Sequence, residues 1–215
     1  MTGSVQVNQH KNVATEISYA AVQHSRGLGR LWAYLRAFFV RRRTFLGIVV
    51  AFLLLAVAEP KPYLLFAGMG LVIAAHVLRL LSAGYLRKDE ALVTSGPFAW
   101  CRNPLYVGNY LVSLGFALMS GRWEAILVVL ALCTATQAPT VACEEHYLRD
   151  RFGAQFEAYC RRVPRWLPAL RGRAAEHPGE PAHRFSWGLV VENQEHLNVI
   201  SAWLIVAMFV VEMVK

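Results

Sequence analysis

Apolar residues along the chain are gathered in long uninterrupted runs, not at the i, i+3, i+4 spacing of a half-buried surface helix. Five runs lack Asp, Glu, Lys and Arg: 44–58, 62–78, 104–121, 125–143 and 197–211, of 15, 17, 18, 19 and 15 residues. A straight membrane-crossing helix needs roughly 20 residues, with a range of about 17–25. The third and fourth runs meet that length as they stand, and the second is at its lower limit. The first can be lengthened through 31–40, interrupted only by Arg36, with Arg41, Arg42 and Arg43 at the interface. The fifth is the weakest, because extending it toward Trp187 brings in Glu192, Glu195 and His196, poor neighbours for lipid. The pattern predicts an all-α integral membrane protein with about five transmembrane helices. The turns at 59–62 and 121–124 are short, so the helices they join are antiparallel hairpins.

Composition agrees. The chain has 215 residues, 56% of them hydrophobic and only 17% charged, against about 25% charged in a typical soluble chain. This excludes a disordered chain and argues against a soluble enzyme with a single core. A net charge of +8 could suggest nucleic acid. Here the basic residues lie between apolar runs, as in a membrane protein, so no nucleic-acid partner is expected. Eighteen of the 22 Lys and Arg fall in 1–43, 82–103 and 144–187. The other side keeps only Lys61, Arg122 and Lys215, and Arg79 lies inside the second helix. That asymmetry puts the N-terminus and the three basic segments in the cytoplasm and the C-terminus outside.

The expected organisation is a cytoplasmic tail over 1–43 with a candidate interfacial helix at 28–40. A membrane core over 44–170, a cytoplasmic linker over 171–186 and a C-terminal helix over 187–215 follow. No cleavable signal peptide is visible in 1–27. The four cysteines form no CxxC pair, so no metal site is expected.

Polar chemistry collects in two cytoplasmic segments. The first runs from Leu92 to Gly108. Gly96-Pro97 is a turn signal, Pro104 suits the first turn of the third helix, and Asn103 is its N-cap. Arg102, Asn103, Tyr106 and Asn109 converge on that helix end, which offers free N–H groups and a positive dipole. The second segment continues the fourth helix from Glu144 and Glu145. Tyr147, Leu148, Phe152, Phe156 and Tyr159 recur there at helical spacing, which reads as an amphipathic helix on the inner leaflet. Two adjacent carboxylates at a membrane boundary are candidates for function.

Together these segments resemble the integral-membrane methyltransferases of the isoprenylcysteine carboxyl methyltransferase family and their phospholipid methyltransferase relatives. The matching stretch runs from about Leu92 to Pro168. It consists of Leu92-Val-Thr-Ser-Gly-Pro97, Arg102-Asn-Pro-x-Tyr-x-Gly108, Glu144-Glu145 followed by Phe152-Gly153, and Arg162-Val-Pro-Arg-Trp-Leu-Pro168. The resemblance implies an S-adenosylmethionine cofactor in a cytoplasmic pocket built from loop and helix ends, and a lipophilic acceptor arriving from the bilayer. It implies that Leu92, Val93, Phe98, Asn103, Tyr106 and Glu144 line the cofactor pocket. Glu144 and Arg102 are then the catalytic candidates, and Thr140 and Tyr110 the acceptor side.

The chain departs from the family pattern twice. The position most often His in the Arg-His-Pro motif is Asn103, which can hydrogen-bond but cannot titrate. Carboxylate-methylating members carry an Arg one helical turn before the first Glu, and that position is Thr140. The acceptor therefore stays open. A prenylated cysteine carboxylate is the family default. A phospholipid or other lipid amine or thiol is the main rival, and a non-catalytic membrane scaffold is the reading from another class. A membrane reductase using a nicotinamide cofactor is a third. Sequence does not give the oligomeric state.

Overall fold

The computed structural model describes residues 38, 42, 45–87, 91–167 and 184–215. The helices are α1 (Phe45–Ala56), α2 (Pro62–Tyr85), α3 (Pro104–Met119), α4 (Trp123–Phe152), α5 (Ala154–Arg162), α6 (Trp187–Glu192) and α7 (Glu195–Val214). A 3-10 turn, Gly96–Ala99, lies in the loop between α2 and α3. No strand occurs among the described residues. The fold is all-α, and its apolar helices are those of a membrane protein. Most of the tail over 1–43 and of the linker over 171–186, with the interfacial helix at 28–40 apart from Phe38, lies outside the described residues.

Helix lengths correct the sequence reading in two places. α2, α4 and α7, of 24, 30 and 20 residues, are long and apolar enough to cross a membrane, while α1 and α3 are shorter. The third run, long enough on paper, becomes a 16-residue helix. Pro104 sets its start, and the chain turns at Ser120, whose carbonyl accepts the Glu59 N–H at 2.8 Å. The fifth run, weakest on paper, gains length because its helix begins at Glu195. That carboxylate is buried inside the protein and never meets lipid.

α2 and α3 pack closely. A Cβ on Gly68 would lie 2.5 Å from the Gly115 carbonyl oxygen, and one on Gly115 would lie 2.8 Å from that of Gly68. Small residues facing each other let two helices approach without a hydrophobic driving force between them. Leu65, Val72, Phe116, Met119, Val129 and Phe209 fill the core around this crossing. Phe116 and Phe209 stack at 6.3 Å, which ties α7 to the bundle. Phe52, Phe66, Ile73, Leu127 and Leu204 point outward and exposed, as lipid-facing side chains do.

The amphipathic segment also differs from expectation. Gly153, at φ +49°, ends α4 in a conformation that favours glycine, and α5 turns back from it. Phe156 and Tyr159 are buried against Leu92 and Val163. The aromatic face expected on the leaflet is thus spent inside the protein, because the 91–103 loop offers it an apolar partner.

Candidate functional site

The site begins with a loop and a strap. The loop that precedes α3 buries Leu92 and Val93 and makes the 3-10 turn that buries Phe98 and Ala99. The strap, Val163 to Trp166, leaves α5 and crosses this loop. The Arg102 N–H donates to the Pro164 carbonyl at 2.9 Å. The Cys101 thiol donates to the Trp166 carbonyl at 3.1 Å. Burial pushes that thiol up from its ordinary range, against a smaller opposing pull from the Asn103 N–H and Arg102. The Tyr159 hydroxyl donates to the Phe98 carbonyl at 2.7 Å, and burial raises its pKa as well. Leu92 and Phe98 are therefore held by α5 and the strap.

Glu145 is the centre of this arrangement. It is 3% exposed. Its Oε2 accepts from Arg165 Nε at 3.0 Å and from Arg165 Nη2, and its Oε1 lies 3.6 Å from Arg102 Nη2. The bond to Glu145 raises the Arg165 pKa. One carboxylate faces two guanidinium groups, so the cluster keeps a net positive charge beside the positive end of α3.

Asn103 serves this cluster and does not cap the helix as expected. It sits at the N-cap position of α3, but its side chain makes no cap bond. Its amide donates to Glu145 Oε1 at 3.1 Å and to the Arg165 carbonyl at 3.2 Å. A buried carboxylate needs donors, and the Asn103 amide is in reach. The first turn of α3 is left without a side-chain cap.

Glu144, one residue on, points elsewhere on α4. It is half-buried and accepts the Tyr106 hydroxyl at 2.5 Å. Arg102, Asn103, Tyr106 and Glu144 are thus brought to one end of the α3–α4 pair. Thr140 and Tyr110 are not. Thr140 is fully buried, and its hydroxyl donates to the Thr136 carbonyl of its own helix at 2.8 Å. Tyr110 packs edge-on against Trp166 at 5.7 Å, and its hydroxyl meets Thr134 at 3.2 Å on an exposed face. Trp100, next to the 3-10 turn, is exposed.

Two buried polar atoms of the 91–103 loop have no hydrogen-bond partner among the described residues: Ser95 Oγ and Arg102 Nε. Buried polar groups are nearly always paired, so such atoms call for an explanation.

A second polar network lies deeper. Arg79 of α2 donates from Nε and Nη2 to both oxygens of Glu195 on α7, at 3.0 and 2.7 Å. Its Nη1 donates to the Asn109 side chain and, at 3.4 Å, to the Leu105 carbonyl. Asn109 passes the chain on to Gln137 of α4 at 3.2 Å. Gly108 leaves room for this, since a Cβ there would lie 2.4 Å from Arg79 Cγ. Sequence reasoning placed Arg79 in a helix without a partner and named Arg165, Tyr159 and Glu195 without the contacts they make. The available signal was an Arg and a Glu 116 positions apart, each beside an apolar run.

Comparison with known proteins bears on this geometry. The phospholipid methyltransferase family matches residues 63–155. The cobalt-zinc-cadmium resistance protein CzcN of Cupriavidus metallidurans is 37% identical over 155 residues, 71% of this chain and 67% of that protein. The nickel-cobalt-cadmium resistance protein NccN of Alcaligenes xylosoxydans xylosoxydans is 40% identical over 111 residues, 50% of this chain and 51% of that protein. The protein-S-isoprenylcysteine O-methyltransferase of Schizosaccharomyces pombe is 32% identical over 83 residues, 39% of this chain and 35% of the enzyme. The chain belongs to the isoprenylcysteine carboxyl methyltransferase family. The chain thus spans only about a third of that methyltransferase's length and half of NccN. No solved structure matches. The 63–155 match takes in Arg79, the 91–103 loop and both Glu144 and Glu145, and leaves out the strap and α7.

Proposed function

We propose that this chain is an S-adenosylmethionine-dependent methyltransferase whose acceptor is a lipophilic molecule in the bilayer. The observation that carries the reading is the Tyr106–Glu144 pair beside a loop that holds two unpartnered buried polar atoms. These residues fit the cofactor. Glu144 suits its ammonium group, and Arg102 Nε and Ser95 Oγ offer a donor and a hydroxyl for its carboxylate or ribose. Leu92, Val93 and Phe98 give an apolar wall for a purine. When bound, S-adenosylmethionine would supply a methyl group activated by its positively charged sulfur. The protein's share of the work is alignment and exclusion of water. The Tyr106 hydroxyl holds Glu144 in one orientation, and the Arg165 strap covers the loop. Half-buried Tyr110 and exposed Thr134 join α3 to α4 on the face that this reading assigns to the arriving lipid.

The charges favour an acceptor that is neutral when it reacts. Thr140 replaces the arginine of carboxylate-methylating members. The other arginines near the site are committed: Arg79 to Glu195, Arg165 to Glu145, Arg149 to Glu157, and Arg102 to Glu145 with its Nε left for the cofactor. A lipid amine, thiol or hydroxyl needs none of them. The orientation that goes with this reading has the N-terminus and the site in the cytoplasm and the C-terminus outside, with 44–170 as the catalytic core.

A second reading, a non-catalytic membrane component, draws on Asn103 and Thr140 together and on the two metal-resistance relatives. Calorimetry of S-adenosylmethionine binding in detergent separates the two. So does transfer of a labelled methyl group into total membrane lipids and prenyl-cysteine analogues. Saturable binding with a labelled lipid amine, thiol or hydroxyl product supports the proposal. Absence of binding with intact folding overturns it.

A further inference from the structure

The Arg79 network is built like a carboxylate receptor. Its guanidinium offers a two-pronged donor edge, the geometry that matches a carboxylate. Asn109 and the Leu105 carbonyl take the remaining Nη1 hydrogens, and Gln137 fixes Asn109. The two side chains of the pair are 11% and 6% exposed. The arginine is anchored on α2, and its partners Leu105 and Asn109 flank Tyr106 on α3, the residue that holds Glu144. Gly108, part of the Arg-Asn-Pro-x-Tyr-x-Gly stretch, is the gap through which the arginine stem passes. The acidic partner comes from a different element. Glu195 opens α7, and the residue before it, Gln194, has φ +59°, the only non-glycine positive φ among the described residues. A left-handed non-glycine residue persists where its surroundings demand it. Asn193 donates to the Ala83 and Leu86 carbonyls at 3.1 Å, which fixes the approach of α7 to the end of α2.

We propose that Arg79, Asn109 and Gln137 form a carboxylate-binding subsite next to the transfer site, and that Glu195 is its built-in occupant. The chain's own carboxylate fills the place that the carboxylate of a lipid acceptor would take, and so excludes anionic acceptors. Glu195 is then a specificity-determining residue. The exclusion of acceptors rests on the proposed methyltransferase function, whereas the subsite itself does not.

The test compares wild type, Glu195→Ala and the double variant Arg79→Met with Glu195→Leu, all full-length in phosphatidylcholine nanodiscs. The probes are dodecanoate, dodecanol and acetate. A purely structural ion pair predicts only a loss of stability in Glu195→Ala. The subsite predicts that Glu195→Ala binds dodecanoate roughly 10- to 150-fold tighter than wild type, the worth of a charge-assisted bond. Dodecanol binding should not change. Acetate should raise the Tm of Glu195→Ala but not that of the double variant. A single variant that folds only with acetate or dodecanoate present also supports the subsite. Equal dodecanoate binding in all three proteins overturns it, as does a single variant that stays unfolded in saturating acetate while the double variant folds. S-adenosylmethionine binding is measured on the same samples. Its absence in wild type would sink the methyltransferase reading and leave the dodecanoate result standing.

Discussion

Two buried carboxylates organise this molecule, and they do so differently. Glu145 sits at the water edge of the bundle, where Arg165 is still 44% exposed, and it faces two arginines and an amide. The cluster keeps an excess of positive charge and one arginine nitrogen without a partner. Glu195 sits deeper, faces one arginine in a two-pronged pair, and leaves no excess. An open cluster can take up an anion, while a closed pair holds helices together and admits a ligand only if one partner yields. The first belongs to the candidate transfer site. The second joins a helix outside the 63–155 family match to the helices inside it.

The largest effect should come from opening the closed pair. Arg79→Met leaves a buried carboxylate unpaired and should destabilise the protein by about 3–5 kcal/mol. Replacing both partners with apolar residues should return most of that loss. Thermal unfolding in detergent checks both, and a double variant as unstable as the single one would show that the pair is not the cause.

Glu145→Gln comes next, at about 2–3 kcal/mol, because solvent screens part of its contact with Arg165. It should also loosen the strap, which limited proteolysis near residue 163 would report. Glu144→Gln marks the contrast within the same helix. Its carboxylate is half-buried and touches only Tyr106 among the bonds described above, so its Tm should move little. Affinity for S-adenosylmethionine should fall roughly 10- to 150-fold, as expected for a charge-assisted bond of about 1.5–3 kcal/mol. A larger affinity loss in Glu145→Gln would assign the cofactor contact to the wrong glutamate.

The smallest effect concerns pH. Burial raises both the Cys101 thiol and the Tyr159 hydroxyl above their ordinary values. A group whose folded pKa is raised contributes stability that is fully present below its unfolded pKa and is lost as pH rises toward the folded one. The contribution of these two groups to the loop and strap should therefore be constant below about pH 8 and weaken above about pH 9, where an unfolded thiol ionises. Cys101 should react with iodoacetamide more slowly than a free thiol at pH 8. Rapid alkylation in the folded protein would contradict the burial of this loop.

The helices and their antiparallel order were legible from the chain alone, since a bilayer demands long apolar runs with satisfied backbones. So were the start of α3 at Pro104 and the two segments that make up the candidate site, because capping and turn chemistry are local. The acceptor side was less legible. Thr140 was placed correctly one turn from Glu144, but its burial and its bond back to Thr136 depend on how α4 is rotated in the bundle.

Helix rotation is also what separates the two adjacent glutamates. Neighbouring residues on a helix point about 100° apart, so Glu144 and Glu145 meet different surroundings, and one of them turns inward. Hydropathy could not say which, because both are equally polar. Packing of the strap and the 91–103 loop decided for Glu145, by bringing Arg102, Asn103 and Arg165 to one side of α4. The Arg79–Glu195 pair is the stronger case. Its partners are 116 positions apart, and each alone looks like a misplaced charge beside an apolar run. Sequence determined that both had to be compensated, since an unpaired charge in this setting is costly. Only the crossing of α7 with the end of α2 decided that they compensate each other, because ion pairing depends on a few ångströms of distance and periodicity along the chain carries no such information.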